Sequence, residues 1–229
     1  MKNKIYLLHL ETSTKVCSVS LSLNGLEVQL KESAEDQFVH GEKLTLFIEE
    51  VLKSEQIAPK DLSGVSIASG PGSYTGLRIG TSTAKGLCYA LKIPLIAIDT
   101  LLSLAAQAQS KYSDKNLCPV IDARRMEVYN AIYSCELETL KPISADVIEA
   151  DSYAAFKNLV VFGDGAEKLK EIWSERQILF NDEIFCSASG QVKLAFKKFK
   201  NEEFEDTAYF EPFYLKDFVA LKPKAKTNL

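Results

Sequence analysis

The stretch Ala68-Ser69-Gly70-Pro71-Gly72-Ser73-Tyr74-Thr75-Gly76-Leu77-Arg78-Ile79-Gly80 constrains this chain most. Three glycines and a proline fall within seven residues, directly after the apolar run Val65-Ser66-Ile67-Ala68. Small residues follow at once: Thr81-Ser82-Thr83-Ala84-Lys85-Gly86-Leu87. The order predicts a strand, a tight turn and a helix N-terminus. Glycine admits positive φ and lets another backbone, or a phosphate, come close. A helix start adds unpaired N–H groups and the positive end of the helix dipole. Two uses fit these residues: contact with a phosphate, or close packing of the helix. The spacing is neither the dinucleotide fingerprint nor a P-loop, since no Gly-Lys-Ser/Thr follows. Gly70, Gly72 and Ser73 are the candidate contacts for a cofactor phosphate. Gly76, Gly80, Ala84 and Cys88 repeat at i+4 and leave one helix face nearly bare. Such a face lies on a sheet or receives a helix from another chain.

The flanking segments frame that block. Ile5 to Glu11 is a short apolar run that ends in the turn residues Glu11-Thr12-Ser13-Thr14. Val16 to Leu23 alternates with the period of a half-buried strand. Asn24-Gly25 is a hairpin signal, and Leu26 to Lys31 returns as its partner. Phe38 to Lys53 reads as a helix with one stripe of Leu44, Phe47, Ile48, Val51 and Leu52. A strand over Val65 to Ala68, a helix over Ser73 to Leu91, a strand over Leu95 to Ile98 and a helix over Thr100 to Gln109 follow. The order β-β-β-α-β-α-β-α implies an α/β fold, a mixed or parallel sheet covered by helices. Leu117 to Ile121, Asp122-Ala123-Arg124-Arg125 and the alternating Glu127 to Tyr133 then repeat the opening pattern of strand, acidic residue, turn and strand. The later part predicts a helix near Ser152 to Lys157, a strand over Leu159 to Phe162, the turn Gly163-Asp164-Gly165, and helices near Ala166 to Trp173 and Ala188 to Phe199. Two lobes are expected, 1–110 and a less regular 111–221, with a basic, disordered tail over 222–229.

Composition excludes several classes. A net charge of −4 argues against an autonomous nucleic-acid binder, so any RNA is expected to be held through a partner. Five scattered cysteines without a C-x-x-C pair fit reduced thiols in a cytoplasm, not a disulfide framework or a zinc site. Met1 to Leu10 lacks a long apolar region, so no signal peptide is expected, and no apolar run is long enough to span a membrane. The two histidines, His9 and His40, show no metal-binding spacing. His9 reads as a hydrogen-bonded core residue and His40 as a polar cap. No G-x-S-x-G elbow is present. Glu11 and Asp122 occupy matching strand ends in the two half-repeats. A nucleotide-hydrolysing protein would hold Mg²⁺ at such facing carboxylates; otherwise they accept turn N–H groups.

The segments GPGSYTGLRIGTSTAKGL…IPLIAIDTLLSLA, VIDARRMEVYNAIY, GDGA and EPFYLKDFVA resemble the bacterial TsaB (YeaZ) family. The resemblance runs from Ile5 to Tyr133 and resumes over Gly163–Ala166 and Glu211–Ala220. It implies an actin/sugar-kinase/Hsp70-like fold of two ribonuclease-H-like lobes. It implies a cytoplasmic, non-catalytic partner of a catalytic paralogue (TsaD-type) and a small P-loop ATPase (TsaE-type). Together these transfer threonylcarbamoyl to the tRNA adenosine beside the anticodon. The paralogue carries two metal-ligand histidines after the strand that follows its Gly-rich helix; here those positions are Thr100 and Leu104. No catalytic residue and no metal are therefore expected, and no cofactor on the chain alone, with ATP or ADP held at most at the complex interface. The resemblance places the partner interface on the two helices, at Leu44, Phe47, Ile48, Thr75, Gly76, Arg78 and Gly80. Without its partner, the same surface is a candidate for self-association, and the sequence leaves homodimer and heterodimer both open. One departure is Glu11, where the family usually has Asp. The alternative is a stand-alone enzyme of the same superfold, metallopeptidase-like or a small-molecule kinase or ATPase.

Overall fold

The computed structural model describes residues 4–34 and 40–216. Phe38, the end of the Glu211–Ala220 segment and the tail over 222–229 lie outside the described residues. β1 (Tyr6–Glu11), β2 (Val16–Leu23) and β3 (Leu26–Ala34) form an antiparallel meander. Asn24 and Gly25 take the two left-handed positions, φ 53° and 80°, that a tight hairpin turn demands. α1 (His40–Ser54) leads to β4 (Leu62–Ala68), which lies parallel to β1. α2 (Tyr74–Leu91) then crosses to β5 (Leu95–Ile98), parallel to β4. The sheet order is β3-β2-β1-β4-β5.

After α3 (Thr100–Ala108) the same plan recurs. β6 (Asn116–Asp122), β7 (Glu127–Tyr133) and β8 (Thr139–Val147) form a second antiparallel meander. β9 (Leu159–Phe162) and β10 (Leu179–Asn181) add in parallel on the other side of β6. The order β8-β7-β6-β9-β10 is the first sheet repeated. α4 (Glu167–Ile172) joins β9 to β10, and α5 (Val192–Lys200) follows a 3₁₀ turn over Ala188–Gln191.

The stripe on α1 faces the sheet: Leu44, Ile48, Val51 and Leu52 are buried with Leu8, Leu10, Val19 and Leu21. Each such side chain contributes about 1.5–3 kcal/mol by leaving water. The helices after the fifth strand of each half are exchanged between the sheets. Leu101, Leu104, Ala105 and Ala108 of α3 bury against Leu117, Ile121, Val160 and Phe162 of the second sheet. Ala195 of α5 buries against Leu7, Ile96 and Ile98 of the first. A cut at residue 110 thus separates the two sheets but assigns each of these helices to the lobe it does not pack on. Helix cores respond to local periodicity, whereas the sheet a helix covers is set by the direction of the chain on leaving the strand.

Other expectations need correction. Residues 152–157 form turns, not a helix, and Tyr153 and Asn158 sit at positive φ. β8 was not foreseen because Pro142 interrupts its pattern; it is an edge strand, where proline is tolerated. β10 has only three residues and too little pattern to read.

Gly76 and Gly86 of α2 give opposite expectations. A Cβ on Gly76 would collide with the Thr12 carbonyl oxygen, whereas one on Gly86 meets nothing within 4 Å. Gly76→Ala should lower stability by about 1–3 kcal/mol, and Gly86→Ala should raise it by about 0.5–1 kcal/mol. Urea melts of both variants check this; equal effects would refute the seating of α2.

Candidate functional site

The Gly-rich turn lies on the β1–β2 turn. Ser73 caps α2, its Oγ accepting the Gly76 N–H at 3.3 Å. The Ser73 N–H donates to the Ser13 carbonyl at 2.6 Å. The Thr12 hydroxyl donates to the Gly76 carbonyl at 2.8 Å. Side chains on Gly72, Gly76 or Gly80 would strike Ser13 or Thr12. Gly70, at φ 109°, leaves no room for a Cβ beneath the Phe213 carbonyl. The Phe213 N–H in turn donates to the Ser69 carbonyl at 2.7 Å. The Ser73 and Gly76 N–H groups and the glycine gaps are therefore used inside the chain. Gly70, Gly72 and Ser73, candidates for phosphate contact on sequence, pack against Phe213 and against Ser13 of the β1–β2 turn, with Gly72 and Ser73 half-buried.

Glu11 closes β1 and is fully buried. Its Oε1 accepts the Ser13 N–H at 2.7 Å, and its Oε2 has no partner among the described residues. Burial pushes its pKa up to about 7, and the Asp164 carboxylate adds to that rise. Asp122 closes β6 and is exposed; its Oδ1 accepts the Arg124 N–H at 2.7 Å and the Lys168 ammonium at 2.6 Å. Both carboxylates thus do what turn carboxylates do. Asp164, from the Gly163-Asp164-Gly165 turn, was not singled out by sequence. It accepts the Asp122 N–H at 3.0 Å, and burial raises its pKa. Only the pairing of β9 beside β6 brings it here. Cys186 also feels Glu11 and Asp164, and burial holds its thiol far above the usual range. Among the described residues no three His, Cys, Asp or Glu side chains converge as a metal-ligand set.

The remaining site residues divide by burial. Thr100 is buried; its Oγ1 accepts the Gly70 N–H at 3.1 Å, and its own N–H donates to the Gly70 carbonyl at 2.9 Å. Leu104 is core. His40 Nε2 donates to the Thr14 carbonyl at 2.7 Å. His9 bridges the Ser66 and Ser22 hydroxyls at 2.7 and 2.8 Å, with burial depressing its pKa to about 3. Of the proposed interface, Thr75 and Arg78 are exposed and Phe47 is half-buried. Leu44, Ile48, Gly76 and Gly80 are buried inside the chain and present no surface, which corrects their assignment as partner contacts. The outward faces of the two helices instead carry Leu46, 54% exposed, and Tyr89, 84% exposed, neither singled out by sequence. Arg78 lies over the Tyr74 ring at 4.6 Å.

Two five-stranded sheets of one repeated order, with their helices exchanged, make an actin/sugar-kinase/Hsp70-like fold. A Pseudomonas aeruginosa structure, described as an uncharacterized protein with similarity to peptidase YEAZ, superposes with TM-score 0.80 at 24% identity, covering 93% of this chain and all of that one. The family model for TsaD, tRNA N6-adenosine threonylcarbamoyltransferase, matches residues 34–226. The tRNA threonylcarbamoyladenosine biosynthesis protein TsaB of Buchnera aphidicola subsp. Schizaphis graminum is 32% identical over 171 residues, 72% of this chain and 80% of its own length. TsaB of Haemophilus influenzae is 35% identical over 123 residues, 54% of this chain; here the match spans only about half of the relative, 51%. The chain belongs to the TsaB (YeaZ) family, within the group that the TsaD model describes.

The buried Glu11 sets a pH dependence. A carboxyl whose pKa rises from 4.5 to about 7 on folding binds its proton more tightly in the native state. Its contribution is fully present below the unfolded value and is lost as pH rises through the folded one. Between about pH 5 and about pH 7.5, Glu11→Gln should remove a stability decline of roughly 2 kcal/mol from the parent's curve. Asp164 and Asp99 are also raised, so the test is the difference between parent and variant melts. Parallel curves would refute the assignment.

Proposed function

We propose that this chain is a non-catalytic subunit of a cytoplasmic tRNA-modifying assembly. It dimerises with a TsaD-type paralogue and so supports threonylcarbamoyl transfer to the tRNA adenosine beside the anticodon. A small TsaE-type ATPase completes the set, and any ATP or ADP binds at the interface between subunits. The reading rests on family membership, since relatives carry the name of that biosynthetic pathway. The observation that carries the non-catalytic part is the use made of Thr100 and Leu104. Where the paralogue has imidazoles, this chain has a hydroxyl bonded to Gly70 and a core leucine. Neither supplies the imidazole nitrogen that a transition-metal centre uses. The close packing of Gly72 and Gly76 on the β1–β2 turn supports the same reading, because those glycine gaps are filled by the chain's own Ser13 and Thr12. Among the described residues no helix is long and apolar enough to cross a membrane, consistent with a cytoplasmic site of action.

The decisive assay combines tRNA, threonine, bicarbonate, ATP, the adenylate-forming enzyme, the paralogue and the ATPase, with and without this chain. Modified adenosine should appear only with the chain present, and the chain alone should do nothing. Full activity on omission would refute the role. For the dimer surface, Arg78→Glu should reduce recovery of the paralogue at least tenfold while the melt stays unchanged, since Arg78 is exposed. Undiminished recovery would move the interface elsewhere.

A further inference from the structure

The two repeat-related turns have opposite fates. The β1–β2 turn is buried under α2, whereas the β6–β7 turn, Ala123 to Met126, stands open. Arg124 and Arg125 occupy it with φ of 71° and 52°. The left-handed region is ordinarily left to glycine, asparagine or aspartate. The turn is nevertheless rigidly supported. The Ala123 N–H donates to the Glu127 carbonyl, and the Ile148 N–H to the Met126 carbonyl. The Lys168 ammonium donates to Asp122 Oδ1 and to the carbonyls of Arg125 and Glu127. The backbone is thus satisfied by the protein, while neither guanidinium has a hydrogen-bond or ion-pair partner among the described residues.

We propose that this turn is a contact for the sugar–phosphate backbone of RNA, made by Arg124 and Arg125. Guanidinium forks match phosphate oxygens in a bidentate way. A rigid tip loses little freedom on binding. An extended polyanion needs only this open side. The inference builds on the proposed role in tRNA modification and changes one part of it: the chain touches tRNA itself. The other exposed basic row, Lys193, Lys197 and Lys200 on α5, has no such buttressing and serves as the control.

The test uses the reconstituted complex and an unmodified tRNA transcript, with binding read by fluorescence anisotropy across salt concentrations and transfer read in parallel. Arg124→Ala/Arg125→Ala should weaken tRNA binding about tenfold and make the logarithmic salt slope shallower by roughly 1.5, the loss of two phosphate contacts. KM for tRNA should rise while kcat and recovery of the paralogue stay unchanged. Lys193→Ala/Lys197→Ala, with the same change in charge, should do neither. Unchanged affinity and slope overturn the proposal. So does an equal effect of the lysine variant, or a loss of paralogue recovery, which would mark the tip as a protein contact. Because binding is read apart from modification, the omission assay judges the proposed function separately.

Discussion

The backbone of α2 rests on the backbone of the β1–β2 turn, and most of the first lobe follows from that contact. Gly72, Gly76 and Gly80 remove the Cβ atoms that would hold the helix away from Thr12 and Ser13. The approach buries both turn residues and aims the Thr12 hydroxyl at the Gly76 carbonyl. It also fixes which side of α2 faces out, leaving Thr75, Arg78 and Tyr89 exposed. The loop that enters the helix does a second task. Gly70 exchanges two hydrogen bonds with Thr100, which opens α3, and the Asp99 side chain caps that helix at the Leu102 N–H. The start of the helix that crosses to the second sheet is thereby tied to the same glycine loop.

Most of this framework is legible in the residues. The alternation of Val16 to Leu23, the Asn24-Gly25 turn and the apolar run before Gly70 each have one local solution, and β5 and β7 fall where their patterns place them. The likeness of the segments around Glu11 and Asp122 announces the repeated sheet. What stays hidden depends on long-range placement. The stripe Leu44, Ile48, Val51 identifies an amphipathic helix but not what covers it; the chain's own sheet takes that face. A partner can meet only what remains, such as Leu46. Asp164 joins the site through strand pairing, and no spacing along the chain reports that.

The asymmetry of the halves has one physical source. In the first half, α2 is long and glycine-lined, and its backbone covers the turn. In the second half, α4 has six residues, and the Lys168 ammonium supports the turn instead. A helix backbone excludes water from the groups beneath it; a single ammonium holds a turn while leaving its side chains wet. The difference reaches the acid at each strand end. Glu11, under the helix, loses solvent on all sides, and its pKa rises to about 7. Asp122, beside the ammonium, keeps solvent and a cationic partner. A carboxyl that holds its proton near neutrality must give it up before it can bind a divalent cation as a carboxylate, and that loss opposes binding. The same seating of α2 on the first turn thus both buries Glu11, which raises its pKa, and sets the side of the helix that faces out.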